Sequence, residues 1–183
     1  MIVQFEQIQS IDEIDFDHLF EQSYSRMENT FLWSPVLNTY ETRKQFYRYQ
    51  LQTAIEDKWP LKNEGEPFVM IVTRVDGDIV EFTAGFKEDT GYISLHWHLT
   101  SPTLNEGNRN WRYTPESHEA RVAFLNSIGV VGTKEYTWIG SLHYRTLKTR
   151  LATGRFTMRE RVMHERGTPP GGRQLVELTI RLI

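Results

Sequence analysis

Three side chains in the middle of the sequence have the types and spacing for acid–base chemistry: Glu81, His96 and His98. The histidines lie two residues apart in the segment Tyr92 to Thr100, where apolar Ile93, Leu95, Trp97 and Leu99 alternate with polar Tyr92, Ser94, His96, His98 and Thr100. A strand sends every second side chain to the same face, so both imidazoles are expected on the polar one. Ahead of it, Phe68 to Val75 and Asp78 to Lys87 flank Asp76-Gly77, a pair suited to the positive φ values of a two-residue hairpin turn. Glu88-Asp89-Thr90-Gly91 supplies a second turn and extends the hairpin into a three-stranded meander. If that turn leaves Lys87 opposite Tyr92, Thr83 falls opposite His96 and Glu81 opposite His98. A carboxylate beside an imidazole sets its tautomer and strengthens it as a base, which suits removal of a proton from an amine or from water. Two other readings stay open. His96 and His98 make a pair of metal ligands if Glu81 adds a carboxylate and a further ligand converges; or the face is a half-buried polar surface satisfied by ordinary hydrogen bonds.

A second candidate group lies between the meander and the next helix. Thr114-Pro115-Glu116 is a helix start, with threonine as N-cap and proline in the first helical position. Arg109 and Arg112 stand just before it. Free backbone N–H groups, the positive end of a helix dipole and two guanidinium groups together suit a bound anion. The plainer reading is a loop whose arginines pair with Glu106 or Glu116.

The elements that must hold these groups follow from periodicity. Ile2 to Ile8 alternates as a strand, and Ser10 with Glu13 reads as a capping box opening a helix along Phe16, Leu19, Phe20, Tyr24 and Met27. Asn38 and Glu41 suggest a second box before a helix from about Thr39 to Lys58, with Tyr47, Leu51, Ala54 and Ile55 facing inward. The helix from Pro115 to about Ile128 is expected to bury Ala120, Ala123, Phe124 and Ile128, and Gly129 to end it. Lys134 to Ile139 reads as a short buried strand and Ser141 to Thr153 as a helix with Tyr144, Leu147 and Leu151 inward. Phe156 to Arg166 and Gln174 to Leu182 read as a closing hairpin.

This order, β-α-α-β-β-β-α-β-α-β-β, resembles the GNAT superfamily of N-acyltransferases along nearly the whole chain. The resemblance implies an α+β fold, a mostly antiparallel mixed sheet flanked by helices. It also implies an acyl coenzyme A donor such as acetyl-CoA, no metal, and a small-molecule or peptide amine as acceptor. The family binds the coenzyme pyrophosphate after the third meander strand, usually through an arginine or glutamine followed by closely spaced glycines. Here the stretch from Ser101 to Tyr113 is longer and carries only Gly107, a departure from that pattern; the resemblance implies that the phosphates would lie near Arg109, Arg112 and the Thr114 helix start. Glu81, His96 or His98 would deprotonate the amine, and backbone N–H groups of the same strand would stabilise the oxyanion. Gly154-Arg155-Phe156 resembles a glycine–aromatic landmark of the family, but Arg150 occupies the place of the tyrosine that often protonates the departing thiolate. Tyr144, on the same predicted helix, is the substitute acid, or else part of the core beside Leu147 and Leu151. The alternative to an enzyme is a GNAT-like binding or assembly domain that has lost coenzyme A binding, with a homodimer through its closing hairpin.

Composition bounds the rest. At 183 residues the chain fits one domain, residues 1–183. The absence of cysteine excludes disulfide scaffolds, thiolate metal sites and a cysteine nucleophile. Met1 to Gln9 lacks the basic segment and apolar run of a signal peptide, and no apolar stretch reaches membrane-spanning length, so a soluble, cytoplasmic protein without a membrane partner is expected. The formal net charge of −3 conceals 12 acidic and 6 basic side chains in residues 1–66 against 12 and 15 in residues 67–183. That basic C-terminal side suits anions, but an acidic chain without a recognised module argues against nucleic acid as a partner.

Overall fold

The computed structural model describes residues 1–24, 39–101, 114–163 and 174–183. Its elements are β1 (Val3–Ile8), α1 (Phe16–Tyr24), α2 (Tyr40–Ile55), β2 (Phe68–Val75), β3 (Asp78–Lys87), β4 (Tyr92–Thr100), α3 (Pro115–Ser127), β5 (Gly132–Trp138), α4 (Leu142–Arg150), β6 (Phe156–Val162) and β7 (Leu175–Leu182). The strands form one seven-stranded sheet in the order β1-β2-β3-β4-β5-β7-β6. Every neighbouring pair is antiparallel except β4 and β5. The architecture is α+β, in the element order expected.

Local chemistry places the ends of these elements. Asp76 and Gly77 both adopt positive φ, 51° and 97°, as the two-residue turn requires. Ser10 and Glu13 do form a capping box, but on a single 3₁₀ turn over Ile11–Glu13. α1 begins afterwards, where the Asp15 carboxylate accepts from the His18 amide. The cap of α2 is Thr39, which exchanges bonds with Thr42; Asn38 of the expected Asn38–Glu41 box lies outside the described residues. At α3 the Thr114 hydroxyl accepts from the Ser117 amide with Pro115 in the first turn, and Lys87 reaches from β3 to donate to the Ile128 carbonyl at the other end, 2.7 Å away.

The helices cover the sheet from two sides. On one, α1 and α2 lay Phe16, Leu19, Phe20, Tyr47 and Leu51 against Met70, Val72, Phe82, Ala84, Phe86, Trp97 and Leu99. On the other, α3 sets Leu125, Phe124 and Ile128 on Val69, Ile71, Ile93 and Leu95. Its buried face therefore centres on Ser117 and Leu125, and Ala123, expected inside, is exposed. α4 packs Tyr144 and Leu147 on Val176, Leu178 and Ile180 of β7. β5 is half-buried on both faces apart from buried Gly132. Among the described residues no helix is long and apolar enough to cross a membrane.

The register of β3 on β4 departs from expectation in two steps. Lys87 pairs with Ile93, not Tyr92, since the turn closes one residue later through the Glu88 amide and the Tyr92 carbonyl. A β-bulge then follows: Gly85 pairs with Leu95 but Ala84 with Trp97, which leaves His96 as the extra residue. Glu81 consequently lies opposite Thr100, and Thr83 opposite His98. The bulge also divides the apolar face expected of β4. Ile93 and Leu95 pack under α3, whereas Trp97 and Leu99 pack under α1 and α2. Gly85 permits this geometry: a Cβ there would sit 2.0 Å from the Ser94 carbonyl oxygen.

Candidate functional site

The parallel ladder between β4 and β5 has three residue pairs, Tyr92–Gly132, Ile93–Thr133 and Ser94–Lys134. Beyond Ser94 and Lys134 the strands are no longer paired, and a slot opens in the sheet with β4 as one wall and β5 as the other.

Glu81 and His98 meet at the β4 wall. One shift of a single residue would have put them on opposite faces, but two such shifts restore the parity. They are diagonal neighbours, with His98 Nε2 2.8 Å from Glu81 Oε1. Glu81 is 8 % exposed. Its second oxygen accepts from the Thr73 hydroxyl at 3.2 Å and faces the Arg121 guanidinium of α3 at 4.0 Å. The His98 ring is about half exposed. With an ionised carboxylate on Nε2, a neutral His98 carries its proton there, which makes Nδ1 the basic nitrogen. A buried acceptor, an orienting bond and an imidazole open to solvent are what a general base requires.

His96 does not join them. The bulge turns it to the other face, into an aromatic group with ring centroids 5.5 Å from Trp97, 5.8 Å from Phe86, 6.0 Å from Trp59 and 6.2 Å from Tyr136. The expected shared face of His96 and His98 is thereby corrected, and with it the geometric basis for a metal pair. Among the described residues no three histidine, aspartate or glutamate side chains gather around a possible metal position.

Tyr144 lies on α4 with its hydroxyl donating to Glu160 of β6 at 2.8 Å and its ring in the β7 cluster. That bond, reinforced by burial, holds the phenol above its ordinary range. Thr114 caps α3, and Ser117 in the first turn keeps a buried hydroxyl with no hydrogen-bond partner among the described residues. Arg109 and Arg112 lie outside the described residues.

The β5 wall carries groups that sequence spacing does not single out. Glu135 accepts from His143 Nε2 of α4 at 2.7 Å and from the Thr133 hydroxyl at 3.0 Å. Burial pushes the Glu135 carboxyl up, but the bond and charge of His143, the charge of His98 across the slot and the Thr133 hydroxyl bring it below the usual range. The His143 ring is about half exposed. No local signal marks the pair, because eight residues separate its members and only the packing of α4 on β5 brings them together.

On the opposite face, Tyr136 of β5 donates to Glu177 at 3.0 Å, and Arg161 holds both oxygens of that carboxylate at 3.1 and 2.8 Å. Burial raises the Glu177 carboxyl, but Arg161, Tyr136 and the charge of Lys134 outweigh it and leave it below the ordinary range. A depressed carboxyl stabilises the fold above its unfolded pKa, and the contribution is lost as pH falls through the folded one. Glu177→Gln should therefore flatten the acid limb of stability against pH between those two values; urea unfolding midpoints across the acid range will measure it, and an unchanged limb would contradict it.

The backbone of β4 completes the wall. The amide of His98 donates to the Tyr47 hydroxyl of α2 at 2.7 Å, and that of Thr100 donates to the Ser23 hydroxyl of α1 at 2.6 Å. Two of the strand N–H groups expected to face an oxyanion thus have partners from the helices. Burial drives the Tyr47 phenol well above its ordinary range, so it stays neutral.

Comparison with solved structures returns the same arrangement at low sequence identity. A GNAT-family protein from Desulfovibrio desulfuricans matches at 12 % identity, with all of both chains covered and a TM-score of 0.51. The ribosomal-protein-S18-alanine N-acetyltransferase of Escherichia coli matches at 10 % identity over 100 % of this chain and 94 % of its own, with a TM-score of 0.53. The PaiA N-acetyltransferase of Thermoplasma acidophilum, solved with coenzyme A, matches at 11 % identity over 97 % and 98 %, with a TM-score of 0.52. No protein-family model matches the chain, and no curated protein matches it by sequence.

Proposed function

Since the chain has the GNAT fold, we propose that it is an acyl coenzyme A-dependent N-acyltransferase that moves an acetyl group from acetyl-CoA to an amine. The observation that carries this reading is the Glu81–His98 pair, a buried carboxylate orienting a half-exposed imidazole, on the wall of the slot left where β4 and β5 part. The slot takes the acyl arm, and His98 Nδ1 receives the proton the amine loses as its nitrogen attacks the thioester carbonyl. Thr114 and the first-turn amides of α3 fit the coenzyme phosphates, with Arg109 and Arg112 adding charge. The acceptor is a small-molecule or peptide amine. The same reading takes residues 1–183 as one domain working in the cytoplasm, without a metal.

A second reading, a binding or assembly domain that no longer holds coenzyme A, is favoured by one observation: the His98 and Thr100 amides are already bonded to Tyr47 and Ser23. A thermal melt separates the two. Ligand at about 100 times its dissociation constant adds roughly 2.7 kcal/mol, a rise of about 5–10 °C for a domain of this size. The expected result is that rise with acetyl-CoA and with coenzyme A, and none with a simple nucleotide. Absence of any shift at millimolar coenzyme would overturn the enzyme reading in favour of the second.

A further inference from the structure

The slot is bordered by two carboxylate–imidazole pairs, one on each wall. His98 on Glu81 belongs to β4; His143 on Glu135 joins α4 to β5. Glu135 is the first β5 residue beyond the last ladder pair, Ser94–Lys134, so it stands where the slot begins. Its side chain projects to the α3 and α4 side, as Glu81 and His98 do. Acyl transfer from a thioester to an amine moves two protons: one leaves the nitrogen and one arrives at the sulfur. One base accounts for only half of this.

We propose that His143, seated on Glu135, is the acid that gives the departing sulfur its proton, while His98 on Glu81 takes the proton from the amine. The proposal rests on the acyltransferase reading above. As the nitrogen lone pair forms the bond to the carbonyl carbon, the carbon–sulfur bond breaks and its electron pair goes to sulfur. The nitrogen's proton passes to His98 and the proton of the His143 imidazolium to sulfur. The products are an amide and a thiol, and the two imidazoles then return to their starting states by exchange with water. The bond from His143 Nε2 to Glu135 orients the imidazolium ring as it gives up its proton. Glu135 is a positioning residue whose ionised state, held below the usual carboxylate range, keeps it ready to support an imidazolium. Tyr144 is a poorer proton donor, because its hydroxyl is committed to Glu160, which raises the phenol further from neutrality.

The test follows the thiol product directly and needs no acceptor. Coenzyme A is bound to the wild-type chain near neutral pH, with desulfo-coenzyme A as the blank, and the ultraviolet absorbance of the thiolate is recorded. A free cysteine thiol ionises at about 8.5 and is only a few per cent thiolate at neutral pH, and an unassisted alkyl thiol is no more ionised than that. Beside an imidazolium the bound thiolate fraction should rise about tenfold. The expected result is that this excess disappears in His143→Gln, shrinks in Glu135→Gln and persists in Tyr144→Phe. In a thiol-release assay with acetyl-CoA and a panel of alanine-terminated peptides and polyamines, His143→Gln should lower kcat by about 10²-fold with KM nearly unchanged. Bound coenzyme A without excess thiolate, or an excess that survives in His143→Gln, would overturn the role of His143 and leave the acyltransferase reading standing. Failure of the wild-type chain to bind coenzyme A would overturn both.

Discussion

Replacing His98 by glutamine should lower kcat/KM for acetyl transfer by about 10²–10⁴-fold, the usual contribution of a positioned base. Glu81→Gln should lower it by a smaller factor, since the carboxylate acts through the ring and does not touch the reacting atoms. The affinity for coenzyme A should remain close to the wild-type value in both, because neither side chain lies at the α3 end where phosphates are proposed to bind. The double variant is the more telling measurement. Residues that work as one unit have effects that do not add, so the double variant should be no slower than His98→Gln alone. Steady-state kinetics on the four proteins, with coenzyme affinity from calorimetry, would decide it. Independent, multiplying losses would mean that the 2.8 Å contact between the two side chains is incidental to turnover.

Gly85→Ala should have the largest effect on stability. The added Cβ would meet the Ser94 carbonyl oxygen at 2.0 Å, the Ser94 carbonyl carbon at 2.8 Å and Leu95 Cα at 2.9 Å. All three atoms are backbone of the neighbouring strand, so no side chain can swing away, and β4 itself must move. A loss of about 4 kcal/mol or more is expected, the range reached only by overpacking and comparable core defects. Gly77→Ala makes the proper control. Gly77 has nothing within 4 Å but a φ of +97°, so that variant should lose only the left-handed backbone penalty of about 1–2 kcal/mol. Urea unfolding would compare them, and equal losses would show that strand separation at Gly85 adjusts freely. Because Gly85 sits at the bulge that aims His98 at Glu81, any folded Gly85→Ala protein should also lose more turnover than stability alone explains.

Gly85 also marks what the sequence allows to be read and what it does not. The Asp76-Gly77 hairpin, the Thr114-Pro115 helix start and the apolar stripe of α2 follow from local preferences that tertiary packing does not override, and the structure has them where expected. The Glu81–His98 contact is expected through a register that is wrong by two residues. It survives because two shifts of one residue leave the faces unchanged, not because the pairing follows from the turn. A lone glycine within a strand pattern signals a bulge or a close backbone approach, and Gly85 weighed in that way separates His96 from His98. The Glu135–His143 pair has no comparable signal. Its partners belong to different elements, and the distance between them is set by how α4 lies on β5 and β7, a matter of tertiary packing that no local pattern encodes. Tyr144 illustrates the same limit: its spacing with Leu147 places it against the core, but the Glu160 bond that occupies its hydroxyl depends on where β6 runs.

The three-pair ladder between β4 and β5 gives the molecule a joint. On one side of it β1 to β4 are tied by long antiparallel pairings, and on the other β5, β7 and β6 are tied likewise. Across it, among the described residues, the half-sheets are joined by the ladder pairs from Tyr92–Gly132 to Ser94–Lys134, the Lys134–Glu88 ion pair, the bond from the Val131 amide to the Gly91 carbonyl, and side-chain contacts such as His96 with Tyr136. In mechanical terms these few bonds are a clasp at the narrow end of a pair of jaws. A long, thin molecule laid between the jaws would bridge the parted walls, although on β4 the His98 and Thr100 amides are already bonded to Tyr47 and Ser23. Its occupant would then make the molecule stiffer as a whole, quite apart from any reaction it undergoes there.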